Sequence, residues 1–241
     1  MKKLLSLVLI LSMLTVAMVS CKKDDPTPET PTPQGPNTPT PEVRTTITAE
    51  EWASACAMIN YTMTSETTYT TTFGEEVTTK TITIVFNSSE SAVHFYTVAI
   101  GMTGVDGPLV QDYYEVYDNG VLYTVEIKDG EVDYVMADPD DAIPTFDEYM
   151  DIETVEYTDL VYNSETKSYT FTQTSGNNEV PYTLWFENGK LVKVEATVTM
   201  EQTVSNPDGP LTARQVIEMS IVISDVGTTT VTVPAFTKPQ E

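Results

Sequence analysis

From Asn60 onward the chain alternates apolar and polar residues along runs rich in Thr, Val, Tyr and Ile. A period of two in residues that favour the pleated backbone predicts β-strands. The alternation is cleanest towards the C-terminus. In 191–201, Val192, Val194, Ala196, Val198 and Met200 share one face, and Lys193, Glu195, Thr197 and Thr199 share the other. In 216–225, Ile217, Met219, Ile221 and Ile223 oppose Glu218, Ser220 and Ser224. Such strands have one buried and one wet face. Tight-turn signals separate the runs: Asp118-Asn119-Gly120, Lys128-Asp129-Gly130 and Glu187-Asn188-Gly189. Asn-Gly and Asp-Gly between alternating runs are hairpin signals. Longer breaks fall at 163–166, 175–178 and 206–210. The pattern predicts a meander of about ten antiparallel strands.

Helical spacing is confined to two short segments. Thr48-Ala49-Glu50-Glu51 fits a capping box, in which a threonine and a glutamate three residues later satisfy each other's backbone N–H groups. Trp52, Ala55, Cys56 and Ile59 follow at i, i+3, i+4 and i+7, which predicts a helix over about 49–58 with Trp52 and Cys56 facing a core. A second helical piece is predicted within 139–150, capped by Thr145 with Glu148 three residues on, and kept short by Pro144. About ten one-faced strands present more apolar surface than two short helices cover. Three arrangements solve this: a two-sheet sandwich, a closed barrel, or a strongly curved sheet partly plugged by its helices. Hairpins between successive strands favour the barrel or half-barrel.

The N-terminus follows a different pattern. Met1-Lys2-Lys3 is a short basic region, and an apolar run from Leu4 to Val19 ends in Met18-Val19-Ser20-Cys21. The run suits a secretory signal and is short for a membrane span. The ending resembles a lipobox, whose cysteine receives diacylglycerol. Residues 1–20 are thus expected to be a lipoprotein signal peptide, with Cys21 the lipidation site. Lys22-Lys23-Asp24-Asp25 resembles the charged export signal of Bacteroides-type surface lipoproteins. Residues 21–42 are expected to form a disordered stalk, because seven of the fifteen prolines lie in 24–42 and such a stretch cannot bury a core. As polyproline II it would reach roughly 60 Å. Residues 43–241 are then a single antiparallel β domain.

Charge and composition narrow the function. The formal net charge is −24, and cleavage before Cys21 would remove two lysines and no acid, making it more negative still. So acidic a chain is repelled by nucleic acid and by anionic headgroups, so membrane attachment must come through the lipid. With Cys21 lipidated, Cys56 stands alone and no intrachain disulfide is expected. Its apolar neighbours make Cys56 a buried residue rather than a nucleophile. The single histidine, His94, sits in a strand-like Val93-His94-Phe95-Tyr96 and lacks the partners of a triad or a zinc site. Asp138, Asp140 and Asp141 lack the glycine and distal glutamate of an EF-hand loop. Thirty-six acids single out no carboxylate pair for glycoside hydrolysis. No enzyme, metal or cofactor is expected.

Three stretches together resemble the LolA-like and LppX/LprG-like lipoproteins: the capped helix with Trp52 leading into Asn60-Tyr61-Thr62-Met63-Thr64; the run Trp185-Phe186-Glu187-Asn188-Gly189-Lys190-Leu191; and the ending Ile223-Ser224-Asp225-Val226-Gly227-Thr228 before Val231-Thr232-Val233-Pro234. The resemblance implies a curved antiparallel half-barrel closed by helices, with a concave face that holds lipid or acyl chains. The implied chain is an exported outer-membrane lipoprotein, exposed at the cell surface under the charged-signal reading, that binds an apolar or lipid-like molecule. Lining candidates from the inward strand faces are Val194, Val198, Ile217, Met219, Ile221 and Ile223. Two alternatives remain. One is a stalked adhesion or glycan-binding module using Tyr113, Tyr114, Tyr117 and Tyr123. The other is a structural lipoprotein that docks an envelope protein.

Overall fold

The structure, a computed structural model, describes residues 44, 46–138, 142–175, 178–204 and 211–239. The signal peptide, Cys21, the stalk, Asp140 and Asp141 lie outside the described residues. Among the described residues the fold is mainly β: eleven antiparallel strands in one curved, unclosed sheet with two short helices, a half-barrel meander. The helices are α1 (Ala49–Cys56) and α2 (Phe146–Met150). One wing of the sheet comprises β1 (Tyr61–Phe73), β2 (Glu76–Ser88), β3 (Ala92–Ile100), β4 (Leu109–Asp118), β5 (Val121–Lys128) and β6 (Glu131–Asp138). The other comprises β7 (Val161–Asn163), β8 (Ser168–Ser175), β9 (Asn178–Glu187), β10 (Lys190–Val204) and β11 (Leu211–Ser224). The spatial order is β6-β5-β4-β3-β2-β1-β11-β10-β9-β8-β7, so the first and last strands meet at the centre.

Each hairpin glycine does what its turn requires. The two-residue loops Asn119-Gly120, Asp129-Gly130 and Asn188-Gly189 all have positive φ at both positions, from 51° to 84°. Those are the type I′ turns whose twist matches that of the strands. The long alternation in 191–201 is broken once. The β9–β10 register shifts between Leu191 and Lys193, so Leu191, 2% exposed, and not Val192, continues the buried side with Val194. An extra residue of this kind, a bulge, switches the face on which the following side chains emerge.

The helices sit against one face and wedge it open. α1 keeps its full capping box: the Thr48 hydroxyl accepts from Glu51 N–H (3.3 Å) and the Glu51 carboxylate accepts from Thr48 N–H (2.9 Å). It ends at Cys56, two residues short of the predicted helix. Trp52 meets Phe186 of β9 edge-on at 6.5 Å and donates to the Val155 carbonyl at 3.2 Å. The Tyr169 hydroxyl of β8 accepts from Ile47 N–H at 3.1 Å. α1 therefore belongs to the β8–β10 wing. α2, which starts after Pro144 and is closed after five residues by the left-handed Asp151 (φ 58°), serves the other wing. Phe146 lies edge-on to Tyr61 at 5.7 Å, and Tyr149 is wedged against Phe86 and Phe95 at 5.0 and 6.4 Å. One core cluster results, running from Phe95 on β3 to Phe171 on β8. Burying a large side chain of this kind contributes about 1.5–3 kcal/mol.

On the outer face the chain returns as a strap. After β11, Gly227 N–H donates to the Asn60 carbonyl (2.9 Å) and the Thr229 hydroxyl meets that of Thr62 (3.1 Å). The segment then reaches β5, where Phe236 packs on Tyr123 at 5.8 Å and Lys238 pairs with Asp118.

Candidate functional site

Strand register divides the concave face into two stretches. In the first, the side chains meet the helices. Val194, Ile221 and Ile223 are 1%, 1% and 3% exposed and belong to the core with Met63, Phe86 and Leu184. The other three lining candidates lie farther along the same strands. There the cross-strand pairs form three rows. The first runs Ala196, Met219, Thr67, Ile82, Ala99. The second runs Val198, Ile217, Tyr69, Lys80. The third runs Met200, Gln215, Thr71, Thr78, in which Gln215 donates to Thr71 at 3.1 Å. Met219, Ile82 and Val198 are only partly buried. Of the six candidates, Val194, Ile221 and Ile223 fill the plugged end, Met219 packs against its border, and Val198 and Ile217 lie beyond it. Polarity rises along the trough, from an apolar first row to a polar third.

Lys80 lies within this trough. Its Nζ sits 4.3 Å from the centroid of the Tyr69 ring, and Tyr69 is 3% exposed. Desolvation lowers the lysine's pKa and raises that of Tyr69. The parity of Ile82, Ile84 and Phe86 already places Lys80 on the apolar face, a signal in the sequence that the lining candidates from β10 and β11 did not use. Beside it, Gly101 has φ +78°, and a Cβ there would stand 2.5 Å from the Thr79 carbonyl oxygen. The backbone therefore approaches closely where a side chain cannot fit.

Other features are chemically plainer. A recess of about 400 Å³ beside α1 is lined by Trp52, Cys56, Asp147, Val155 and Tyr157, among others. It is an open surface hollow away from the trough, and its thiol is a poor nucleophile. Burial, then the Asp147 charge, pushes Cys56 up to about 12. His94 stacks on Tyr114 at 4.3 Å between ring centroids and meets Asp112 at 2.9 Å. The tyrosines proposed for sugar stacking make no common platform. Tyr113 packs inward on Phe95 at 4.6 Å, Tyr114 pairs with His94, Tyr123 lies under Phe236, and Tyr117 is exposed. Among the described residues no group of three or more His, Cys, Asp or Glu is placed to hold a metal, and no helix is long and apolar enough to cross a membrane. The chain matches no family model, no curated protein and no solved structure.

Proposed function

We propose that the chain is an exported lipoprotein, held to the outer membrane by lipid on Cys21, whose curved sheet takes an apolar or lipid-like molecule on its concave face. The observation that carries this reading is the stretch of concave face beyond the helical plug. Ile82 and Val198 remain partly open to solvent there on an unclosed sheet, with Met219 at the border of the core. The helix-plugged half-barrel is also what the LolA-like resemblance implies, and lipid on Cys21 would hold the domain where lipid is at hand.

Two measurements test the proposal. Cells labelled with an alkynyl palmitate should incorporate it into the protein, and Cys21→Ala should lose both the label and the membrane fraction. The unlipidated mature chain, residues 21–241 with Cys21→Ser, should take up the neutral dye Nile red and release it to long-chain lipids. Retention in the membrane without Cys21 would overturn the anchor; absence of dye uptake would overturn the ligand site.

A further inference from the structure

The chain has 36 acidic side chains against 12 lysines and arginines, yet the three rows of the trough hold one cation and no acid. That cation is Lys80. Ion pairs join Arg44 to Glu51, Lys193 to Glu195 and Lys238 to Asp118; among the described residues Lys80, like Lys128, Lys167, Lys190 and Arg214, has none. What sets Lys80 apart is its place: its Nζ lies over the buried Tyr69 ring, and it is partly desolvated, an arrangement that disfavours its charged form. It stands in the second row, between an apolar first row and a polar third. The order is that of an amphiphile: chain on one side, anionic head at the lysine, water beyond.

We propose that the trough binds a long-chain fatty-acid anion, its chain lying along Ala196, Met219 and Ile82 and its carboxylate meeting Lys80 Nζ. This rests on the reading of the concave face as an apolar ligand site. A carboxylate here replaces the hydration that Lys80 has lost, and a charge-assisted hydrogen bond shielded by apolar walls is stronger than one in water. The protein's overall negative charge works against any anion, so a preference for the acid must arise locally.

The test compares two probes that differ only in charge, a dansyl-tagged undecanoic acid and its methyl ester. Both are titrated against the unlipidated mature chain at physiological ionic strength, where long-range repulsion is screened beyond roughly 8 Å. The acid should bind at least about tenfold more tightly than the ester. Lys80→Met should bring the acid to the level of the ester, and Lys80→Arg should keep the preference. Thermal unfolding of each variant confirms that it is folded. Equal binding of acid and ester by the unaltered chain, or an acid preference that survives Lys80→Met, overturns the anion site and leaves the apolar site standing. If neither probe binds, both readings fall. Should Lys80→Met not fold, the two probes on the unaltered chain and on Lys80→Arg still decide.

Discussion

At the scale of single residues, the core is marked by phenols that the fold keeps neutral. Tyr61 is fully buried, and among the described residues its hydroxyl has no hydrogen-bond partner. Burial raises its pKa, with Tyr149 and Asp147 adding to the effect. Tyr149 is pushed up to about 12 by burial and then by the Glu115 charge, and Tyr113 is raised for the same reasons. Each holds its proton in the folded chain beyond the pH at which a free phenol, near 10, releases it. Between those values the native state binds more protons than the unfolded one, so stability falls as pH rises, by up to about 1.4 kcal/mol per pH unit for each such phenol. Below the ordinary phenol range these groups contribute no pH dependence. An ultraviolet titration should therefore show two classes among the thirteen tyrosines. Exposed ones ionise reversibly; Tyr61, Tyr113 and Tyr149 do so only as circular dichroism reports unfolding. A single reversible wave with native dichroism throughout would contradict the burial described. At this scale the sequence was partly readable. Parity sets Lys80 with Ile82 and Phe86, although Lys80 was not among the lining residues expected from the sequence. No local pattern announces that Val194 and Ile221 lie under a helix while Val198 and Ile217 lie beyond it, because that depends on where α1 and α2 come to rest.

At the scale of elements, local chemistry sets the turns, and its strength varies with what surrounds each one. Gly120 and Gly101 both have positive φ, but a Cβ at Gly120 meets nothing within 4 Å, whereas one at Gly101 meets the Thr79 carbonyl oxygen at 2.5 Å. Gly120→Ala should cost only the strain of the left-handed backbone, about 1–2 kcal/mol. Gly101→Ala adds a clash with backbone that cannot swing away, so its cost should be larger by about 1 kcal/mol or more. Urea midpoints of the two variants give the comparison, and equal losses would mean that β2 yields at that point. The Asn-Gly and Asp-Gly hairpins and the Thr48 capping box were legible because their signals lie within four residues. The bulge at Val192 was not. Nothing in an unbroken alternation shows a slipped register, which is fixed by the partner strand, where Leu191 sits opposite Phe186 and Lys193 opposite Trp185. The eleventh strand, β7, is only three residues long and carries no period of its own.

For the whole molecule, the decisive contact lies between the ends of the domain. β1 and β11 pair from Thr62–Ser224 to Phe73–Ala213, joining the β2–β6 wing to the β7–β10 wing. Strand order of this kind is not written in hairpin signals, which connect only neighbours along the chain. It follows from the curvature that lets both wings share one plug of helices. Closing so long a loop is costly before any contact rewards it, so folding should be slow for the size of the domain. The central seam and the outer strap then predict opposite results for two truncations. Ending the chain after Thr230 removes Phe236 and Lys238 from β5 but leaves the sheet whole, so unfolding should stay cooperative at a lower midpoint. Ending it after Pro210 removes β11, exposes the edges of β1 and β10, and leaves neither wing able to cover its half of the core. That chain should show no cooperative thermal transition and should aggregate. If it instead melted as one unit, the two wings would be held together by the helices alone, and the seam would not be what makes the half-barrel a single structure.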